Sequence, residues 1–492
     1  MLRKIRIIAA IICFALITLL FLDFTGTLHA WFGWLAKIQL VPAILAVNIG
    51  IIIFLLLFTL LFGRVYCSVL CPMGVFQDIV SRVTNRKKYR FKYLRSINWL
   101  RYGVLALFCI ALIAGVSVIV SILEPYSAYG RIASNLFAPI YLGINNLLAF
   151  IAKRINSYAF YSTDVWIKSI STFIVAILTF VIIAVLAWKN GRIYCNTICP
   201  VGTFLGLISR FSLFKPRFSE STCNNCGLCE RTCKASCINS KDRKIDYSRC
   251  VSCMNCIDSC NKKSLKYSLR LKTEKVSSTA AKETDSSRRN FLFWTAAFAA
   301  TSAIKAQSTK VDGGLAIIED KKVPNRLTQV CPPGASSIKN LSQHCTACQL
   351  CVSVCPNQIL HPSNDLSRFM QPEMRFERGF CRPECTKCSE VCPSGAIKQI
   401  DVFEKSSTQI GHAVFIKENC VVLRDNSSCG NCARHCPAGA IFMVTINEEG
   451  YSYELPVVDT EICIGCGACE YHCPARPFSA IYVEGHERHR II

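Results

Sequence analysis

The sequence predicts a multi-domain chain: an α-helical membrane domain of four spans, built on a duplicated helix hairpin, followed by small α+β domains rich in cysteine. Three observations predict it. Hydrophobic residues make up 52% of the 492 and mean hydropathy is +0.34, values of a membrane protein with soluble appendages. Four apolar segments are long enough to span a bilayer, or nearly so. Cysteine is the outlier at 32 residues, in a chain too long for a secreted disulfide scaffold.

The apolar segments are Ile7–Leu22, Val41–Phe62, Tyr102–Leu123 and Ile170–Trp188. Loop charge orients them. The connector Arg64–Arg101 holds nine Lys or Arg and one acid, Asp78, whereas Asp23–Leu40 holds one basic residue, Lys37, and the longer Glu124–Lys168 holds four. The N-terminus is therefore expected inside, and four spans return the chain to the cytoplasm. Trp31, Phe32 and Trp34 suit an outer aromatic belt. Leu136–Ile151 is apolar but interrupted by Asn145 and Asn146, so it is expected to lie at the interface rather than to cross.

Within this domain one stretch returns after 128 residues. Gly63-Arg-Val-Tyr-Cys-Ser-Val-Leu-Cys-Pro-Met-Gly-Val-Phe is matched by Gly191-Arg-Ile-Tyr-Cys-Asn-Thr-Ile-Cys-Pro-Val-Gly-Thr-Phe. Each copy follows the second helix of a pair, so the hairpins form a parallel repeat. Cys67, Cys71, Cys195 and Cys199 are expected to meet near the cytoplasmic face, since cysteines four apart at a helix start share one side. Four converging thiols can hold a further metal or cluster, or act as a redox dithiol. The structural alternative is free thiols in a helix-ending turn.

Next come Cys223-x2-Cys226-x2-Cys229-x3-Cys233 and Cys250-x2-Cys253-x2-Cys256-x3-Cys260. This is the spacing of a two-cluster ferredoxin, in which three close cysteines bind one cluster and the fourth crosses to the other. Cys260 is expected to complete the first cluster and Cys233 the second. Lys234 and Asn261 stand where proline usually follows. Cys237 reads as a spare thiol rather than a competing ligand. Four more motifs lie in the last third: Cys345, Cys348, Cys351 and Cys355; Cys381, Cys385, Cys388 and Cys392; Cys420, Cys429, Cys432 and Cys436; Cys463, Cys466, Cys469 and Cys473. Each ends in Cys-Pro. The outer two are regular, and the inner two carry insertions, which suggests a pseudo-twofold pairing of first with fourth and second with third. Six [4Fe–4S] clusters are expected.

Between these halves stands Ser286-Ser287-Arg288-Arg289-Asn290-Phe291-Leu292, opening a 14-residue apolar run to Ile304. Arg288 and Arg289 before so short a run form a twin-arginine export signal. Domains are expected at 1–215 (membrane), 216–267 (cytoplasmic two-cluster ferredoxin), 268–287 (polar linker), 288–306 (signal or anchor) and 307–492 (four-cluster domain, periplasmic). The location is then a bacterial inner membrane. Sixteen ligand cysteines entering an oxidising compartment unfolded would mispair. Clusters must be inserted first, and a folded cargo needs an export route of this kind.

The formal charge of +24 does not point to nucleic acid. Each four-thiolate cluster carries roughly −2, so six bring the sum to about +12, and much of the rest lies in cytoplasmic loops. No arginine-rich tract interleaves with aromatics. Nor is haem expected: there is no Cys-x2-Cys-His, and His29 is the membrane domain's only histidine. No nucleophile–base triad or phosphate loop stands out. His29, Glu124, Tyr126 and Tyr129, on the predicted outer side, are candidates for a quinol site, where one group would accept a proton.

The paired Gly-Arg-x-Tyr-Cys-x3-Cys-Pro motifs followed by a ferredoxin resemble the NapH/NosR-type membrane iron–sulfur proteins over about residues 1–265. The four-cluster part resembles NapG-like subunits, although Cys331 stands where that family's Arg-Pro-Pro-Gly-Ala stretch has arginine. The resemblance implies a quinol-dehydrogenase-like component that passes electrons from the quinone pool to a periplasmic reductase. An alternative is a membrane ferredoxin for metal-centre assembly, with copper at Cys67, Cys71, Cys195 and Cys199. A third is a wholly cytoplasmic polyferredoxin.

Overall fold

The computed structural model describes residues 2–23, 25–83, 91–157, 160–219, 222–269, 319–448 and 451–492. Arg288 and Arg289 lie outside the described residues, as does the rest of the expected signal.

Three helices are long and apolar enough to cross a membrane: Leu2–Leu22, Pro125–Arg154 and Ile170–Asn190. Ile49–Phe62, Asn98–Ala114 and Pro200–Ser209 are shorter apolar helices. Large apolar side chains stay exposed on them, among them Ile12, Phe54, Ile113 and Leu178, as on a surface whose solvent is lipid.

Four of these helices run between the two cysteine-rich regions. Leu2–Leu22 begins with Arg3 paired to Asp258, and just past its other end the Thr25 carbonyl accepts from Lys387 Nζ at 2.8 Å. Ile49–Phe62 follows Ala46, which lies against Gly395, and the Phe62 carbonyl accepts from Ser252 Oγ (3.1 Å) and Tyr267 OH (2.8 Å). Asn98–Ala114 starts with Arg101 bonded to Ser248 Oγ (3.2 Å) and stops at Gly115, beside Gln343. Ile170–Asn190 is capped by Ser169, bonded to Asn364 at 2.9 Å, and ends where Arg192 N donates to the Lys234 carbonyl at 2.9 Å. The regions around Cys223–Cys260 and Cys345–Cys473 therefore sit at opposite ends of the same helices.

Element boundaries depart from expectation in three places. The Val41–Phe62 segment is broken at Val47, φ 52°, and restarts with Asn48 capping the Ile51 amide at 3.2 Å. The Tyr102–Leu123 segment breaks at Gly115, φ 72°, and resumes as a separate Ser117–Leu123 helix. Leu136–Ile151 is not a separate interfacial helix but part of the 30-residue Pro125–Arg154 helix. Asn145 and Asn146 donate to the Tyr161 and Thr163 carbonyls at 2.9 and 2.8 Å. Their amides are satisfied outside the helix and do not interrupt it.

The ferredoxin units share one topology. Phe214–Phe218, before the first motif, pairs antiparallel with Leu265–Leu269, after the second, and the short Ile238–Asn239/Lys244–Ile245 pair lies between the motifs. Far along the chain, Thr408–Phe415 and Ile481–Ile491 close around the third and fourth C-terminal motifs in the same way, with the Ile441–Glu448/Tyr451–Val458 hairpin between them. The first and second C-terminal motifs flank a small pair, Leu360–Pro362 with Pro372–Met374.

Candidate metal centres

The thiols of the first ferredoxin group as the expected crossing would have them. Cys223, Cys226, Cys229 and Cys260 line one cavity of about 140 Å³. Cys233, Cys250, Cys253 and Cys256 line a second, smaller one. Cys237 adds a fifth thiol there, buried, with its sulfur 3.6 Å from Cys233 Sγ. It lies within S–H···S reach of both Cys233 and Cys250. This sharing pulls the Cys233 thiol down to about 7 and pushes Cys237 well up, as for a thiol that keeps its proton beside two thiols that lose theirs.

The C-terminal motifs pair first with second and third with fourth, not first with fourth as their spacing symmetry suggested. Cys392 lies within electrostatic reach of Cys345, Cys348 and Cys351, and Cys355 of Cys381 and Cys388. Cys473 lines a cavity with Cys420, Cys429 and Cys432, while Cys436 faces Cys463, Cys466 and Cys469. The fourth cysteine crosses to its sequence neighbour because the strands at 408–415 and 481–491 enclose the last two motifs as one unit. The insertion after Cys420 forms a Val421–Arg424 turn and leaves that exchange intact. Burial raises the Cys348 thiol to about 12 and Cys381 to about 11. Ligation as thiolate therefore releases protons. Among the described residues no three His, Cys, Asp or Glu side chains close around a single ion. The four-thiol sets fit multi-iron clusters, whose ligands stand further apart than those of one zinc or copper.

The duplicated motif brings Cys67, Cys71, Cys195 and Cys199 together, each at most 4% exposed; Cys199 lies within reach of the other three. The helices before them end on Gly63 and Gly191, at φ 73° and 64°, which favours glycine. Arg64 then donates to the Cys195 carbonyl (3.1 Å), Asn196 Oδ1 (2.9 Å) and the Ser248 carbonyl (3.1 Å). Arg192 donates to the Cys67 carbonyl (2.7 Å) and Asp78 Oδ1 (2.8 Å). Gln77 Nε2 reaches Cys195 Sγ at 3.1 Å.

These sets form one file. Arg64 and Arg192 stand between the membrane thiols and the second ferredoxin set, within reach of Cys250 and Cys253 respectively. Tyr194 has both Cys199 and Arg131 within electrostatic reach, and Arg131 has Cys348. Gly130 makes that approach close, since a Cβ there would run into the Cys348 carbonyl oxygen. Further on, Cys381 N donates to the Cys466 carbonyl at 2.9 Å, joining the two C-terminal pairs.

Of the expected quinol-site residues, Tyr126 and Tyr129 come together around Phe21, with ring centroids 5.6 and 6.4 Å away. Tyr129 OH meets Thr18 Oγ1 at 2.5 Å, and Glu124 Oε2 accepts from the Ser127 amide at 2.7 Å. His29 is turned to the Leu20 carbonyl at 2.9 Å. Cys331 is buried near Arg368 and Glu373. Sequence reasoning missed Arg131; a charge inside an apolar helix was its signal.

Comparison with known proteins bears on the same residues. A model described as a 4Fe-4S binding domain matches twice, at residues 44–90 and 172–219, each match holding one copy of the Cys-x3-Cys-Pro motif. A 4Fe-4S dicluster domain matches residues 427–477. An uncharacterised protein of Methanocaldococcus jannaschii is 35% identical over 106 residues, 22% of this chain and 42% of that protein. The putative electron transport protein YccM of Escherichia coli is 33% identical over 67 residues, 14% of this chain and 19% of its own. The regulatory protein NosR of Stutzerimonas stutzeri is 32% identical over 66 residues, 13% and 9%. The chain thus spans less than half of each of these relatives. No solved structure matches it.

Proposed function

We propose that this chain, an iron–sulfur protein related over part of its length to YccM- and NosR-type proteins, carries electrons across a bilayer. Quinol is the donor at the membrane domain and a periplasmic reductase the acceptor. Six [4Fe–4S] clusters occupy the six ferredoxin-type thiol sets, and the duplicated motif holds a further one. The cytoplasmic ferredoxin, at the basic-loop end, feeds the same file or sets its redox poise. The twin-arginine stretch places residues 307–492 outside.

The observation that carries this reading is the file itself. Two ferredoxin regions lie at opposite ends of shared helices, and the four membrane thiols fill the gap between Cys253 and Cys348. When bound, the clusters supply one-electron chemistry. The chain's own part is to hold the thiolates apart, bury them and donate hydrogen bonds to them.

The test is anaerobic purification with iron counting and redox-titrated EPR. About 24 irons per chain fill the six sets and about 28 add the membrane set. Reduction of the clusters by a menaquinol analogue supports the conduit. No reduction by quinol sinks it in favour of an assembly role.

A further inference from the structure

Arg131 is 1% exposed, and none of its three guanidinium nitrogens has a hydrogen-bond partner. Guanidinium stays charged in any protein environment. Left unpaired inside a membrane domain it is strongly unfavourable, so such a residue is expected to have a partner. Glu124, a carboxylate within its electrostatic reach, is bonded to the amide and hydroxyl of Ser127 instead. Five residues earlier on the same helix, Tyr126 is equally buried and its hydroxyl is also unpartnered. Both are donors, and no acceptor from the protein meets them.

The thiols nearby say where the acceptor lies. Arg131 has Cys348 within electrostatic reach, and Tyr126 has both Cys348 and Cys392. Those two cysteines belong to one set, contributed by two different motifs. We infer that Arg131 and Tyr126 donate hydrogen bonds to the sulfurs of the cluster held by Cys345, Cys348, Cys351 and Cys392, and so raise its reduction potential where electrons leave the membrane helices. A four-thiolate cluster becomes more negative on reduction, so a fixed positive charge and N–H···S bonds stabilise the reduced state more than the oxidised one. Arg131 is a positioning residue: it ligates no iron. The inference rests on the reading that this thiol set holds a [4Fe–4S] cluster, which iron counting of the unaltered protein tests separately.

The experiment is redox-titrated EPR on full-length Arg131→Met, Arg131→Lys and Tyr126→Phe, purified anaerobically, with iron per chain measured beside it. The expected result is a lower midpoint for one cluster only in Arg131→Met, a smaller fall in Tyr126→Phe and near-recovery in Arg131→Lys, at unchanged iron. If Arg131→Met loses iron, Tyr126→Phe decides, because it removes only the hydroxyl. Unchanged midpoints in the variants that keep their iron overturn the inference. Unchanged midpoints with weakened binding of a quinone-analogue inhibitor, 2-heptyl-4-hydroxyquinoline N-oxide, also overturn it and assign the donors to a quinone oxygen.

Discussion

Arg64 and Arg192 cross over between the two repeats. Each guanidinium donates to the backbone carbonyl of the other copy's first cysteine, Arg64 to Cys195 at 3.1 Å and Arg192 to Cys67 at 2.7 Å. The duplicated Gly-Arg-x-Tyr-Cys is therefore a mutual clasp, and neither copy is complete alone. The clasp is unequal in charge. Arg192 also pairs with Asp78, which Arg6 (3.3 Å) and Lys234 (3.5 Å) approach as well, while Arg64's oxygen partners are neutral and its sulfur contact is Cys67 Sγ at 3.8 Å. Arg192→Met is expected to destabilise the fold by about 3–5 kcal/mol and Arg64→Met by about 1.5–3 kcal/mol. Thermal unfolding at fixed detergent concentration measures both. Equal losses would mean that the Asp78 pair adds nothing.

The four membrane thiols give a second expectation. Cys195→Ser should lower iron by about four atoms per chain and leave the EPR signals of both ferredoxin regions in place. Electrons supplied to the Cys223–Cys260 ferredoxin should then fail to reach the C-terminal clusters. Unchanged iron content would return these cysteines to a structural role.

Cys237 separates a donor from a ligand. Its sulfur is 3.6 Å from Cys233 Sγ, and Cys233 lines the cavity with Cys250, Cys253 and Cys256. Cys237→Ala is expected to keep the iron and lower the midpoint of one cluster, because a bond to a ligand sulfur is lost. Loss of about four irons from that variant would make Cys237 a ligand.

Much of this architecture is legible in the chain itself. The fourth-cysteine exchange within Cys223–Cys260 follows from local spacing. Hydropathy finds two of the three long apolar helices, Leu2–Leu22 and Ile170–Asn190, because length and apolarity are properties of contiguous residues. It does not show the breaks at Val47 and Gly115 or the crossing length of Pro125–Arg154. The pairing of the C-terminal motifs was not legible: it depends on Thr408–Phe415 meeting Ile481–Ile491 across some 70 residues, and insertion lengths carry no trace of that contact. Nor did Asn145 and Asn146 reveal their acceptors, the Tyr161 and Thr163 carbonyls on a later loop. Without those partners two amides in an apolar run look like an interruption.

Acid should loosen the contact between the C-terminal domain and the membrane helices. His361 is 1% exposed, its Nδ1 is 3.4 Å from the Lys168 carbonyl, and its ring packs 4.9 Å from Trp166. Burial first, then the nearby charges of Arg375 and Lys168, push its pKa down to about 3. The unfolded value is about 6.5, so the unfolded chain binds this proton more readily. The contribution is complete above about pH 6.5 and is lost as pH falls toward 3. Protection factors at residues 162–170, exchange corrected for its intrinsic pH dependence, should therefore fall between about pH 6.5 and 5. His361→Gln should flatten that dependence. An unchanged slope in the variant would clear His361 of the effect.

The last expectation concerns the side on which the C-terminal domain lies. Its sixteen ligand cysteines must meet iron in a reducing compartment, because thiols crossing unfolded into an oxidising one form disulfides. Only after folding can such a domain move, and on the proposed reading Arg288 with Arg289 is the signal for a route that takes folded cargo. External protease applied to spheroplasts should then digest residues 319–492 in the unaltered protein and spare them when both arginines are replaced by lysine. Digestion in both would show that another signal carries the domain across. Protection in the unaltered protein would put every cluster on one side of the bilayer, and an electron path across it would have no outer end.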